Sequence, residues 1–246
     1  MTVPTTGPGT ATVRARPLVT YALIAVNVAV YAVCYAQAGT GNFYDSIDSP
    51  VFENSILRPG LVADGEYWRL LTSGFLHLSV THIAVNMISL FILGRLIEPI
   101  LGPGRFLLIY LASLFGGSAA VVAVTSASQG TAGASGAIYG LMGAMLVIVL
   151  KLKAPPGQVV AIIAINLVFS FSVPGISLVG HLGGLVFGII ATVVALYAPQ
   201  AVMRLAGGMP TPELRRRATT WGWIGLCAVL AVAIALGVVL PSARGL

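Results

Sequence analysis

One serine stands where the chain could support nucleophilic catalysis. Ser135 opens an apolar run that ends at Lys151, and a polar, turn-like stretch at residues 125–131 precedes it. We therefore expect Ser135 in the first turn of a membrane-buried helix, where backbone N–H groups lack intrahelical partners and the helix dipole is positive. A hydroxyl nucleophile there would have donors at hand for the oxyanion that its attack creates. The simpler alternative is that the small residues around Ser135 only let two helices approach closely.

His181, near the start of a later apolar run, is the candidate base for this serine. Small residues recur every four positions beside His181 and again after Ser135, and such strips let helix backbones pack unusually close. The two strips are Gly180, Gly184 and Gly188 in the later run, and Gly136, Gly140 and Ala144 in the earlier one. Since both helices run in the same direction, their packing would bring imidazole and hydroxyl within hydrogen-bond reach, roughly 2.6–3.2 Å.

Three further side chains are predicted at the depth of Ser135. Asn86 follows His82 by four residues, so the two share a helix face. Both can donate hydrogen bonds to an oxyanion. Tyr139 lies one turn below Ser135, where its ring could stack on the imidazole. No acid lies at this depth, which predicts a Ser–His dyad whose base is oriented by packing. The alternative is that the histidines are structural groups that tie helices together.

The elements that carry these residues are predicted membrane spans. The 246-residue chain is 57% hydrophobic and 8% charged, with a mean hydropathy of +0.97, whereas a soluble domain carries about 25% charged residues. Long apolar runs recur, which predicts an all-α, polytopic transmembrane helix bundle of seven spans. The predicted spans cover residues 18–36, 80–97, 106–125, 135–150, 159–173, 178–198 and 221–240.

The predicted spans divide the chain into four parts. These are a disordered cytoplasmic tail (1–17), a six-span catalytic core (18–199), a cytoplasmic linker (200–220) and an appended seventh span with a short outer tail (221–246). With the N-terminus in the cytoplasm, the inner side holds ten of the thirteen Lys and Arg residues, as the positive-inside rule requires. We therefore expect the C-terminus and Ser135 on the outer side, in the plasma (inner) membrane.

The same residues argue against several other function classes. The basic residues are spread through short loops, which fits topology signals better than a nucleic-acid patch. The three histidines lack the cysteine or carboxylate partners of a metal site. Cys34 and Cys227 both fall inside predicted spans, so we interpret them as buried hydrophobic residues. We expect no metal, no other cofactor and no nucleic-acid partner.

The assembled motifs closely resemble those of the rhomboid family of intramembrane serine proteases. The resemblance covers spans one to six, and the seventh span is similar to an extra C-terminal helix found in some family members. The matching motifs are Glu66-x-Trp68-Arg69, His77-x₄-His82-x₃-Asn86, Gly133-x-Ser135-Gly136-x₂-Tyr139-Gly140 and His181-x-Gly183-Gly184-x₃-Gly188.

The resemblance implies a role for each residue of the predicted site. Ser135 would be the nucleophile and His181 the general base. His82, Asn86 and the Ser135 backbone amide would stabilise the oxyanion, and Tyr139 would position His181.

The resemblance also implies roles outside the site. Trp68 and Arg69 would belong to a membrane-embedded first loop with a structural role, although an interface anchor is the simplest interpretation of this pair. His77 would be structural. Span five and the connection at residues 169–177 would correspond to a lateral gate and a capping loop.

The activity implied is cleavage of single-span or polytopic membrane proteins, within the lipid bilayer and near the outer end of a transmembrane segment. The glycines around Ser135 leave room for only a small side chain before the cut, which the resemblance also implies. One alternative is a membrane-protein binder or chaperone of the same fold without turnover, although intact Ser135 and His181 argue against it. Another is a small-solute transporter, which predicts internal symmetry that the sequence does not show.

Overall fold

The computed structural model of the chain describes residues 16–39, 47–173, 175–207 and 211–245. These ranges form ten α-helices, a short 3₁₀ turn at Ser73–Phe75 and loops, with one isolated β-bridge. The helices are α1 (Leu18–Ala38), α2 (Pro50–Glu53), α3 (Pro59–Ala63), α4 (Arg69–Thr72), α5 (Val80–Leu101), α6 (Pro103–Val124), α7 (Ser135–Lys151), α8 (Gly157–Ser172), α9 (Leu178–Leu205) and α10 (Pro212–Ala243).

The seven long helices correspond to the seven predicted spans, and the predicted fold class is confirmed. Five of them, α1, α5, α6, α9 and α10, are long and apolar enough to cross a bilayer. The other two, α7 and α8, have 17 and 16 residues, slightly fewer than the roughly 20 that a full crossing needs. The chain is an integral membrane protein. One of its two shorter spans, α7, begins at Ser135.

The core of the bundle lies where α6, α7 and α9 meet. Tyr110, Phe106 and Ile109 of α6 are fully buried, and Leu141 of α7 joins the same hydrophobic cluster. Because burial in lipid gives little driving force for helix association, close backbone packing and interhelical hydrogen bonds must hold such a bundle together. The three central helices supply the rigid frame on which the candidate site is built.

Glu98, near the C-terminal end of α5, holds the start of α1. Its two carboxyl oxygens accept hydrogen bonds from the backbone N–H groups of Val19 and Thr20, at 3.0 and 2.8 Å, and from the Thr20 hydroxyl at 2.7 Å. These N–H groups belong to the first turn of α1, where no intrahelical acceptor exists. One buried side chain thus joins two helices through residues that are 78 positions apart in sequence.

The described part of the connection between α1 and α5, residues 47–79, is organised around Arg69. Its guanidinium binds the Glu66 carboxylate at 2.6 Å and donates to the backbone carbonyls of Glu53 and Ile56, both at 2.8 Å. Arg69 is buried, which overturns the interface-anchor interpretation for this residue and agrees with a structural loop. Trp68 is half-exposed, and its indole N–H donates to a backbone carbonyl of the same connection.

The predicted linker at residues 200–220 is largely helical among its described residues. Helix α9 continues to Leu205 through Pro199, and α10 begins at Pro212 behind a Thr211 hydroxyl that accepts from the Leu214 N–H. Proline and arginine were interpreted as loop signals. Yet Pro199 packs against Gly222 across the pair of helices, and proline is tolerated in membrane helices where neighbouring groups satisfy the freed backbone. Of the predicted tail, residues 1–15 lie outside the described ranges.

The seventh span is integrated into the bundle. Gly237 of α10 packs against Leu70 of α4. At the end of α10, the Arg244 guanidinium donates to the carbonyls of Val122 and Thr125, at 2.6 and 2.8 Å. These carbonyls belong to the end of α6, where backbone acceptors lack intrahelical donors. Helix α10 therefore supports the same end of the bundle that carries Ser135.

Candidate active site

The loop ahead of α7 places Ser135 by means of Gly133. Gly133 has φ of +131°, a region that side-chain-bearing residues rarely adopt. A Cβ at this position would lie 2.9 Å from the His82 ring. The Gly133 N–H donates to the Ser73 carbonyl at 2.9 Å, and an antiparallel bridge joins Leu57 to Thr131. The α1–α5 connection thereby fixes the loop, and Ser135 begins α7 as predicted.

Direct backbone contact between α7 and α9 brings the two candidate catalytic groups together. A Cβ on Gly184 would collide with the carbonyl of Gly136, and a Cβ on Gly188 would collide with Gly140. The two predicted strips therefore lie in register, with parallel helix directions. At their common end, His181 Nε2 lies 2.8 Å from Ser135 Oγ.

The His181 ring is held on one face by Tyr139. Their ring centroids are 4.1 Å apart with an angle of 13° between the planes, which is a stacked arrangement. Both side chains are buried. An imidazole packed in this way can rotate little about its side-chain bonds, so the Nε2 atom stays directed at Ser135.

Ser170 of α8, which was not among the predicted site residues, contacts the other nitrogen of His181. Its Oγ lies 2.8 Å from the Asn166 carbonyl, 2.7 Å from Tyr139 Oη and 2.8 Å from His181 Nδ1. A carbonyl only accepts, so the single Ser170 hydroxyl hydrogen satisfies it, and Oγ accepts from the tyrosine and from Nδ1–H. The proton then resides on Nδ1, and Nε2 is free to accept from Ser135.

A sequence signal for Ser170 did exist. Asn166 and Ser170 are two polar residues four positions apart in an otherwise apolar span. Polar groups inside a membrane usually face the protein interior, and this spacing places them on one helix face. The prediction that packing alone orients the base was therefore incomplete.

His82 and Asn86 lie on α5, across the cavity from His181. The His82 Nδ1 accepts from the Leu78 backbone N–H at 3.3 Å, which leaves the ring hydrogen on Nε2, next to Gly133. Asn86 Nδ2 donates one hydrogen to the His82 carbonyl at 2.9 Å. An amide nitrogen carries two hydrogens, so the second remains available to the cavity.

The remaining predicted residues lie outside the cavity. His77 is buried beside His82, with the two rings edge-on and 5.0 Å between centroids. Burial, together with the neighbouring imidazole of His82, lowers the pKa of His77 from its usual 6.5 to about 3, so His77 is neutral at physiological pH. Trp68 and Arg69 organise the α1–α5 connection and do not line the cavity.

The cavity itself has a volume of about 440 Å³. Ser135 and His181 lie in its wall, together with His82, Asn86, Met142 and Asn166. Polar groups are tolerated at membrane depth where they line a water-accessible space within protein. The site therefore combines a hydroxyl, an imidazole whose Nε2 lies beside it, and several hydrogen-bond donors around one cavity.

The chain is similar in sequence to proteins of one known family. The Rhomboid domain family model matches residues 64–198, more than half of the chain. The chain is 36% identical over 227 residues to rhomboid protease GluP of Bacillus subtilis, which covers 90% of this chain and 40% of GluP. It is 27% identical over 211 residues to rhomboid protease AarA of Providencia stuartii, covering 73% of each protein. It is also 34% identical over 174 residues to RHOMBOID-like protein 5 of Arabidopsis thaliana, covering 61% of this chain and 55% of that protein.

Proposed function

Because the chain belongs to the rhomboid family, we propose that it is an intramembrane serine endopeptidase with Ser135 as nucleophile and His181 as general base. The observation that carries this proposal is the 2.8 Å separation between His181 Nε2 and Ser135 Oγ at the edge of the cavity. The relatives named as rhomboid proteases support a proteolytic activity. The chain spans only 40% of the length of GluP, so the proposal concerns the chemistry of this helical core.

In the first half of the reaction, Ser135 Oγ attacks the carbonyl carbon of the scissile peptide bond. His181 Nε2 takes the hydroxyl proton, which makes the ring an imidazolium. When the C–N bond breaks, Nε2 returns this proton to the leaving amine, and an acyl-enzyme remains on Ser135. The Nδ1–H directed at Ser170 keeps Nε2 in the accepting form before the attack.

In the proposed mechanism, three donors stabilise the tetrahedral oxyanion. They are the Ser135 backbone N–H in the first turn of α7, the His82 Nε2–H and the second hydrogen of Asn86 Nδ2. The first-turn N–H has no partner within the helix. Preorganised donors of this kind contribute about 3–4 kcal/mol each to transition-state stabilisation in serine proteases.

In the second half, a water molecule in the cavity attacks the acyl-enzyme. His181 Nε2 now removes a proton from the water and then returns it to Ser135 Oγ as the ester bond breaks. The cavity of about 440 Å³ has room for several waters. The products are a peptide with a new carboxylate and the amine released earlier.

The substrate class proposed is a transmembrane helix of another membrane protein, cut near its outer end. A helix hides its carbonyls in hydrogen bonds, so the cut segment must unwind, and helix-weakening residues near the cut favour this. The backbone of α9 lies directly against α7 at Gly136, which supports a small side chain before the scissile bond. The orientation proposed places the N-terminus in the cytoplasm.

A fluorophosphonate probe tests the nucleophile directly. The purified protein should be labelled, and labelling should be lost in Ser135→Ala and in His181→Ala. Each substitution should also lower the cleavage rate of a single-span substrate by about 10⁶-fold, as loss of the nucleophile or the base does in other serine proteases. Ser172→Ala is the matched control because Ser172 lies exposed on α8 and bonds only to its own helix. Absence of labelling in the wild type, or equal labelling of Ser135→Ala, would favour a binding protein without turnover.

A further inference from the structure

Helix α8 has few buried side chains, and one of them is the polar side chain of Ser170. Of its 16 residues, Ile163 and Ser170 are buried. The residues on either side of Ser170 point outward: Phe169 is 59% exposed and Phe171 is 80% exposed. Apolar packing therefore does little to fix α8 against the bundle, and the hydrogen bonds of Ser170 make up a large part of its attachment.

The Ser170 hydroxyl makes more hydrogen bonds than the single one within its own helix. A serine in a helix can donate to the carbonyl four residues earlier, and Ser172 does so towards Val168 while exposed to the outside. Ser170 makes the same bond to Asn166 but in addition accepts from Tyr139 and His181. Ser170 thereby joins α8 to α7 and α9 at His181, the proposed general base.

We propose that Ser170 is a positioning residue that makes the docked position of α8 a condition for catalysis. The inference rests on the proposed function, since it concerns the base of that same dyad. Ser170 Oγ accepts from His181 Nδ1–H, which selects the tautomer with Nε2 free. In the transition state the ring is an imidazolium, and a hydrogen bond from a charged donor is stronger than one from a neutral donor.

The stronger hydrogen bond between Ser170 and the charged His181 ring determines which kinetic constant Ser170 affects. An interaction that is stronger in the transition state than in the ground state raises kcat. A displacement of α8 by about 1 Å would lengthen the 2.8 Å bond between Oγ and Nδ1 beyond hydrogen-bond range. Such a displacement would leave Ser135 in place. The tautomer and orientation of His181 would then no longer be fixed by Ser170.

The test compares three variants of α8 in the full-length protein. Ser170→Ala removes the acceptor, and Ser170→Thr keeps a hydroxyl at the same position. Ser172→Ala removes a matched hydroxyl, with the same type of bond to its own helix, two residues away. We measure kcat and KM for cleavage of a single-span substrate in liposomes, and the rate of fluorophosphonate labelling of Ser135.

We expect Ser170→Ala to lower kcat and the labelling rate by about 10- to 100-fold, the loss corresponding to one hydrogen bond to a charged group. KM should change by less than about twofold, since substrate contacts are not removed. Ser170→Thr should restore most of the rate, and Ser172→Ala should behave as the wild type. The thermal unfolding midpoint of each variant is measured alongside, and the rescue by threonine separates loss of the hydroxyl from loss of the fold.

Three results would overturn the inference. They are wild-type kcat in Ser170→Ala, an equal loss in Ser172→Ala, or a loss that falls on KM alone. Each of these leaves the wild type active, so the proposed protease function would survive. An inactive wild type that the probe does not label would instead reject the protease function, and the inference with it.

Discussion

Replacement of Gly184 by alanine probes the contact that sets the geometry of the site. A Cβ there would lie 2.6 Å from the Gly136 carbonyl carbon, whereas ordinary contacts are 3.4–4 Å. The Gly136 carbonyl oxygen would lie closer still, so helices α7 and α9 must separate by at least about 0.8 Å. The same separation one turn away, at the dyad, would move His181 Nε2 from 2.8 Å to at least about 3.6 Å from Ser135 Oγ. No hydrogen bond remains at that distance.

The expected loss follows from this displacement. A misplacement of about 1 Å costs roughly 100-fold in rate, so Gly184→Ala should lower kcat by about two orders of magnitude. Overpacking should also lower the free energy of unfolding by about 1–3 kcal/mol. Cleavage of a single-span substrate in liposomes measures the first quantity, and thermal unfolding in detergent measures the second.

Two glycine variants serve as controls for Gly184→Ala. Gly188→Ala creates the same kind of clash, against Gly140, but one turn further from the dyad. It should cost similar stability with a smaller loss of kcat, about tenfold. Gly157→Ala has open space around its Cβ and should retain wild-type activity. Equal losses of kcat in the first two variants, or full activity of Gly184→Ala, would refute the reasoning.

Two further predictions concern stability. Glu98→Gln should lower the free energy of unfolding by about 1–3 kcal/mol, because an amide N–H₂ would face the N–H donors of Val19 and Thr20. Glu213→Gln, at an exposed ion pair, is its control, and superimposable unfolding curves would contradict the prediction. Burial lowers the pKa of His77 to about 3, whereas the unfolded chain protonates it below about 6.5. The free energy of unfolding should therefore fall by up to about 1.4 kcal/mol per pH unit as the pH drops from about 6.5 towards 3. His77→Gln should flatten this slope in unfolding measurements between about pH 4 and 7, and an unchanged slope would reject the assignment.

The sequence predicted the fold class and the meeting of the two candidate catalytic groups for reasons that are local. Apolar runs must become helices in lipid because no other open structure satisfies the backbone there, and all seven predicted spans are long helices. The glycines at positions 136, 140, 184 and 188 indicated where two backbones touch, because only a missing side chain permits such contact. The catalytic roles of Ser135 and His181 stay a prediction until the variants are measured.

The tertiary structure alone determined the hydrogen-bond partners of polar groups whose partners lie on other helices. Nothing in the sequence pairs Glu98 with the start of α1, or Ser170 with His181, since each bond depends on how the helices are arranged. The sequence left Arg69 with two interpretations, an interface anchor or a member of a structural first loop, and the fold buries it among carbonyls of a loop that its guanidinium organises. In lipid an unsatisfied polar group costs several kcal/mol, so such groups must find partners, but the identity of the partner is settled by packing. Residue types and spacing thus determined the helices and where they touch, and the three-dimensional arrangement determined which hydrogen bonds hold the site in order.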